Sequence, residues 1–289
     1  MSTDEETVGQ AIRHAAVVAE SAGVEIRLLS EIPDLEDVYD LIDRIWQPDK
    51  SNPPVTTEQL RALSKAGNYI AGAYAHGRLV AACVGFFAAP VGEALHSHIA
   101  GVIPDVAGRN VGFALKLHQR AWALAHGLSE VTWTFDPLVR RNAYFNLAKL
   151  AARPRDYFVN FYGDISDAIN GGQGSDRLLV VWELGASRVV DASAGRRWEP
   201  VLDTSSGTCA ALTLSPSGGP VVAPGWARAE APALLVQVPP DIEAMRRDDA
   251  SLALEWRLAL REVLGTLIGK DARVIGFSRT GAYVVERTS

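Results

Sequence analysis

The stretch "GVIPDVAGRNVGFALKLHQRAWALAHG", Gly101–Gly127, limits what this chain can fold into more than any other segment. It opens as a strand, meets Pro104, and passes through Arg109-Asn110-Val111-Gly112-Phe113-Ala114 into a helical pattern. The spacing predicts a helix over Arg109–His126. Val111, Leu115, His118, Trp122 and Ala125 form one apolar stripe, widened by Phe113, Leu117 and Leu124. Small residues and one arginine stand where that helix begins. The first four N–H groups of a helix have no partner inside it, and the helix dipole puts partial positive charge there. Gly112 and Ala114 would let an anion approach the backbone, and Arg109 would add a guanidinium at the rim. A plain strand-to-helix connection, with small residues for packing, fits the same six residues. The turn alone therefore leaves both readings open.

The flanking patterns supply the context. Thr7–Gly23 is alanine-rich at helical spacing and closes on Gly23. "VEIRLLS" alternates as a strand does. "IPDLEDVYDLIDRIWQ" puts Leu35, Val38, Leu41, Ile42 and Ile45 on one face of a helix opened by Pro33-Asp34. Thr56 or Thr57 caps a short helix that runs to Ala66. A hairpin turns at His76-Gly77, and "EALHSHIAGVI" makes a third adjacent strand. Beyond the central helix come a strand, "SEVTWTFDP", stopped by Asp136-Pro137, and a helix, "LVRRNAYFNLAKLAA". An aromatic stretch, "DYFVNFYG", a loop, "INGGQGSD", and a strand, "RLLVVWEL", follow. Counted from Val24, the expected order is β-α-α-β-β-β-α-β-α-β. Composition then changes, which places a domain boundary after residue 187. Residues 188–289 end in a β-α-β-β pattern, with a helix over Ile242–Gly269 and a hairpin at Thr280-Gly281. That segment reads as an added sheet layer or as a dimerisation module.

This element order, together with Arg109-x-x-Gly112-x-Ala114, resembles the GNAT superfamily of CoA-dependent N-acyltransferases. The family's hallmark is [Gln/Arg]-x-x-Gly-x-[Gly/Ala] between a central strand and a helix. Val102-Ile103-Pro104 is similar to its V-x-P at the end of that strand. The likeness covers residues 24–184. "VTWTFDPLVRRNAYFNLAKL" and "SDRLLVVWEL", with "LLVQVPPDIEAM" and "GAYVVER" further on, extend it to a bacterial GNAT branch with a C-terminal extension. The resemblance implies an α/β (α+β) fold. Its mixed central sheet, flanked by helices, splays between the strands at 94–103 and 130–135, and a smaller C-terminal α/β extension follows. It implies acetyl-CoA or another acyl-CoA as cosubstrate and no metal. The pantetheine arm would pair with backbone at Gly101, Val102 and Ile103. The pyrophosphate would rest on the N–H groups of Asn110, Val111, Gly112, Phe113 and Ala114, beside Arg109.

In such enzymes an amine attacks the thioester directly. The reaction needs a neutral amine, a donor for the oxyanion and a proton for the thiolate. No G-x-S-x-G elbow, H-E-x-x-H or CxxC pair is present. A backbone N–H near Val102 would serve the oxyanion. His96 and His98, two apart on a strand, share one side with Ser97 opposite, and an imidazole titrates near working pH. Either could instead be a core or substrate-positioning histidine, and no third ligand stands at metal spacing. The family's acid is often the tyrosine of N-x-x-A-x-x-L-Y-x-K-x-G-F. Matching Lys149 to that pattern puts Leu147 at the tyrosine and Ala151-Ala152 at the Gly-Phe. Tyr157 and Tyr162 are the substitutes, and both also read as packing aromatics. Asn142 and Asn146, four apart, would bond the pantetheine arm or substrate, unless Asn142 caps its helix. Asp136 would hold a cationic amine or simply form the turn before Pro137.

A net charge of −6 gives no global attraction for nucleic acid. Arg140, Arg141, Lys149, Arg153 and Arg155 form a local basic cluster that otherwise reads as a solvated helix face. Cys83 lies in an apolar run and reads as core. The acidic N-terminus is no signal peptide, and no apolar run nears the ~20 residues of a membrane helix. The expectation is a cytoplasmic bacterial acyltransferase that acetylates, or otherwise acylates, the amine of a small metabolite. It would have no membrane partner, nucleic acid is disfavoured, and a homodimer is open. The alternatives are a GNAT-fold transferase fed by aminoacyl-tRNA or acyl carrier protein, and a non-catalytic acyl-CoA sensor.

Overall fold

The computed structural model describes residues 3–48, 50, 52–163, 174–200, 207–228, 231–270 and 272–287. Part of the "INGGQGSD" loop, 169–173, lies outside them. In chain order the elements are α1 (Thr3–Ala22), β1 (Glu25–Leu28), α2 (Ile32–Trp46), α3 (Thr57–Lys65), β2 (Tyr69–Ala75) and β3 (Arg78–Phe87). Next come β4 (Ala94–Val102), α4 (Val111–Ala125), β5 (Glu130–Phe135), α5 (Arg140–Ala143), β6 (Arg153–Phe158) and β7 (Arg177–Glu183). The chain ends with α6 (Ser187–Ser193), β8 (Thr208–Leu214), β9 (Pro220–Val222), β10 (Ala233–Gln237), α7 (Ile242–Asp248), α8 (Ala250–Leu260), α9 (Thr266–Ile268), β11 (Arg273–Phe277) and β12 (Ala282–Glu286). The architecture is mixed α/β. No helix among the described residues is long and apolar enough to cross a membrane.

The chain forms two compact units. Residues 1–133 and 183–194 make the first, and 134–182 with 195–289 make the second. This grouping crosses the 187/188 division drawn from composition.

In the first unit β1, β2, β3 and β4 pair antiparallel in that order, and β5 joins β4 in parallel. His76 and Gly77, at φ 50° and 76°, turn the expected hairpin. Thr56 caps α3 in a full capping box with Gln59. The apolar face of α2 buries Leu35, Val38, Leu41 and Ile42. α4 departs from expectation. It begins at Val111, and it is buried along both flanks because α1 packs on it as well as the sheet. His118 and Trp122 of the expected stripe are only half-buried and Ala125 is exposed, whereas Lys116, Gln119 and Arg120 are buried.

In the second unit β6 and β7 pair antiparallel, and a separate five-stranded sheet runs β11-β12-β10-β8-β9. The helix expected over "LVRRNAYFNLAKLAA" is α5 followed directly by a π-helix, Tyr144–Lys149. Its wider turn shows in the bond from Leu150 N–H to the Phe145 carbonyl. Asn142 and Asn146 therefore lack the regular four-residue spacing of an α-helix. Asn146 is buried and Asn142 half-buried. β6 is an added strand. Its Arg153-Pro154-Arg155 start hides the strand signal, because prolines and charges suit exposed edges. The expected Ile242–Gly269 helix breaks at Asp249, whose carboxylate takes the Leu252 N–H at 3.0 Å and so caps α8.

Candidate active site

β4 carries the first group of candidates. Its pairing with β3 shifts register where Val84 and Gly85 oppose Ile99 and Ser97, so His98 stands at a bulge. His98 is exposed and His96 half-buried. Both rings lie against Phe86, at 5.3 and 5.8 Å, and 6.5 Å from each other, so they share a side as the alternation predicts. The Nδ1 of His96 is 3.2 Å from the Thr132 hydroxyl. Burial, then the proximity of His98 and Lys116, holds His96 down at about 4, so it is neutral at pH 7.

β4 and β5 pair only over Ala94–Glu130, Leu95–Val131 and His96–Thr132. Beyond His96, β4 continues to Val102 on β3 alone. Ile103 donates its N–H to the Val80 carbonyl at 3.0 Å. Antiparallel rungs alternate, so Val102 turns its own N–H and C=O away from β3, to the side β5 has left. Gly101 is buried on its other face by Trp46 and Ile45 of α2.

The turn after β4 is a 3-10 segment, Pro104–Val106, then Gly108 at φ +81° and Asn110 at φ 63°, a left-handed residue heading α4. Ala107 through Asn110 are exposed. The first α-helical bond runs from Ala114 N–H to the Asn110 carbonyl at 2.9 Å, so Val111, Gly112 and Phe113 precede the ladder. The Asn110 side chain does not cap the helix. A Cβ at Gly112 would stand 3.3 Å from Val102 Cγ2, so glycine lets the helix start close against the end of β4. An anion would meet the exposed head of the turn, Ala107–Asn110 with the Arg109 guanidinium, whereas Val111, Phe113 and Ala114 are buried and the Ala114 amide is taken by the Asn110 carbonyl.

A polar cluster that sequence reasoning missed lies on the opposite face. Lys116 Nζ donates to Gln119 Oε1 at 2.6 Å and to Ser97 Oγ at 3.3 Å, and sits 3.8 Å over the Trp133 ring. Gln119 also reaches Cys83 Sγ at 3.2 Å. All five residues are buried. Burial lowers the Lys116 ammonium to about 8. Arg120 is buried too, and donates through Nε and Nη2 to the Leu184 carbonyl at 3.0 and 2.6 Å.

The remaining candidates belong to the second unit. Asp136 is not free to hold an amine. Arg246 and Arg257 bond its Oδ2 at 2.5 and 2.8 Å, and Leu138 N–H bonds its Oδ1 at 3.0 Å. Burial alone would raise its carboxyl, but the guanidiniums of Arg257 and Arg246 win and hold it down at about 2. Tyr157 gives its hydroxyl proton to Asp176 at 2.8 Å, and burial pushes that phenol well up, which makes it a poor acid. Tyr162 is exposed, with its hydroxyl 3.2 Å from Thr134 Oγ1. Ala151 adopts φ 54° where the resemblance expects glycine. Of the basic cluster, Arg141 pairs with Glu243, Arg155 with Asp156, and Arg140 donates to the Arg279 carbonyl at 2.8 Å.

No protein-family model matches the chain, and no curated protein matches it. Solved structures do. The ribosomal-protein-S18-alanine N-acetyltransferase of Escherichia coli is 15% identical with a TM-score of 0.44, over 57% of this chain and 96% of that one. The ribosomal-protein-S5-alanine acetyltransferase of Vibrio fischeri is 16% identical with a TM-score of 0.45, over 56% and 94%. A GNAT family acetyltransferase from Elizabethkingia anophelis with acetyl-CoA bound is 17% identical with a TM-score of 0.43, over 56% and 98%. What these acetyltransferases share with the chain is a likeness of fold.

Proposed function

We propose that the chain is an acyl-CoA-dependent N-acyltransferase. It moves a small acyl group, acetyl foremost, from the thioester to the amine of a small metabolite. One observation carries this reading: β4 loses β5 after His96 and runs on, with an open edge, into a turn whose head, Ala107–Asn110, is exposed. An edge of unpaired backbone suits an extended amide-bearing arm, and first-turn amides beside a guanidinium suit its diphosphate.

The chain's residues then divide the chemistry. Val102 offers its N–H to the thioester oxygen as charge develops there. His98, exposed at the bulge, accepts the proton of the attacking amine, directly or through water. His96, kept neutral and bonded to Thr132, orients beside it.

Calorimetric titration of the full-length protein with acetyl-CoA tests the reading. Saturable binding, weakened about tenfold in Arg109→Gln by loss of a charge-assisted bond, is expected. Thiol release with a panel of amines, lost in His98→Gln but with acetyl-CoA binding kept, would separate catalyst from sensor. A folded protein that binds no acetyl-CoA overturns the proposal.

A further inference from the structure

Around Asp136 in the second unit the charges do not balance. Two guanidiniums share its Oδ2, Arg246 from α7 and Arg257 from α8, with side chains only 3% and 0% exposed. A third, Arg177 at the start of β7, counts Asp136, Arg257 and Arg246 among its main electrostatic neighbours. Asp176, the adjoining residue, is already committed. It takes Arg261 through Nε at 3.0 Å and Nη2 at 2.8 Å, the Tyr157 hydroxyl at 2.8 Å and the Asn160 N–H at 3.0 Å. Two guanidiniums thus bond one carboxylate, and Arg177 adds a third positive charge nearby.

The donors do not balance either. Nε and Nη1 of Arg257 are buried and find no acceptor among the described residues. A charged donor stripped of water and left without an acceptor is costly, and more so beside like charge. What this place lacks is negative charge and acceptor oxygens, and a carboxylate supplies both.

We propose that Arg257, backed by Arg246 and Arg177, is a receptor for a small oxyanion, a carboxylate in the first instance. Arg177 is half-buried, donates Nη1 to the Asp176 carbonyl at 3.0 Å, and holds its guanidinium carbon 5.3 Å from the ring centroid of exposed Tyr162. The ligand's charge is then opposite to the one a lone Asp136 would select. The site stands on the second unit's own residues and does not depend on the acyl-transfer reading.

The test follows the side-chain Nε–H resonance of Arg257 in the full-length protein, assigned by its loss in Arg257→Lys. Sodium acetate, then sodium succinate, is titrated at constant ionic strength in chloride-free buffer. A saturable shift with a parallel rise in Tm is expected, and Arg257→Gln should weaken the Tm response about tenfold or more in midpoint concentration. The wild-type titration needs no variant, so a misfolded Arg257→Gln would not blunt the test. A resonance that stays put, or drifts equally and without saturation in every salt, overturns the proposal. Competition separates the sources. Displacement of acetate by α-amino acids but not by their decarboxylated amines supports a carboxylate on an amine ligand. Displacement by neither supports a free oxyanion. Loss of acetyl-CoA binding alone would sink the proposed function and leave this site standing.

Discussion

Trp46 lies against the α carbon of Gly101 so closely that a Cβ built there would stand 2.7 Å from the indole Cζ3, and 2.8 Å from Ile45 Cδ1. The C-terminus of α2 is thus seated on β4 through a missing side chain. Gly101→Ala should cost about 1–3 kcal/mol by overpacking. Urea denaturation measures it, and Trp46→Leu in the same background should recover part of the loss.

His96 makes stability depend on pH. Its folded value, about 4, lies below the ordinary 6.5 of the unfolded chain. Between the two the unfolded chain binds more protons, so the contribution is full above about pH 6.5 and is lost as pH falls toward 4. The half-buried ring limits the effect to on the order of 2 kcal/mol. His96→Gln should flatten that limb of the stability profile. An unchanged profile between pH 4 and 7 would refute the assignment.

Lys116 works in the opposite range. Its ammonium titrates at about 8 when folded, against 10.5 in its ordinary state. Below pH 8 the fold carries the full cost of a buried charge. Between 8 and 10.5 the unfolded chain holds the extra proton, so stability rises with pH. Lys116→Met, of similar volume, should therefore be neutral or stabilising by about 1–4 kcal/mol at pH 7. The gain should shrink by pH 10. Denaturation of both proteins at the two pH values decides it.

Ala151 pays for a left-handed backbone without the freedom of glycine. Ala151→Gly should raise stability by about 0.5–1 kcal/mol, the relief of φ strain exceeding the added entropy of the unfolded chain. Thermal unfolding shows the sign.

The first unit was legible because its signals are local. Thr56 with Gln59, His76-Gly77 and the face of α2 each declare themselves within one turn or one strand. The Arg109–Ala114 turn was legible for the same reason, as a change of period beside small residues. What stayed hidden was long-range. Asp136 reads as an open carboxylate until Arg246 and Arg257, more than a hundred residues later, close on it. The π-helix from Tyr144 and the burial of Lys116 depend on what packs around them, and no periodicity records that. β6 was missed because an edge strand tolerates the prolines and charges that usually argue against a strand.

The grip of Arg120 on Leu184 has a practical consequence for anyone dissecting this polypeptide. Leu184 also donates its N–H to the Ser129 carbonyl at 2.9 Å, so a short returning segment is stitched into the first unit at both its amide and its carbonyl. A fragment ended at residue 133 would strand a guanidinium in the interior with its acceptor cut away. The first unit is discontinuous in the gene's order, and a shortened or circularly permuted version must bring residues 183–194 along if it is to fold.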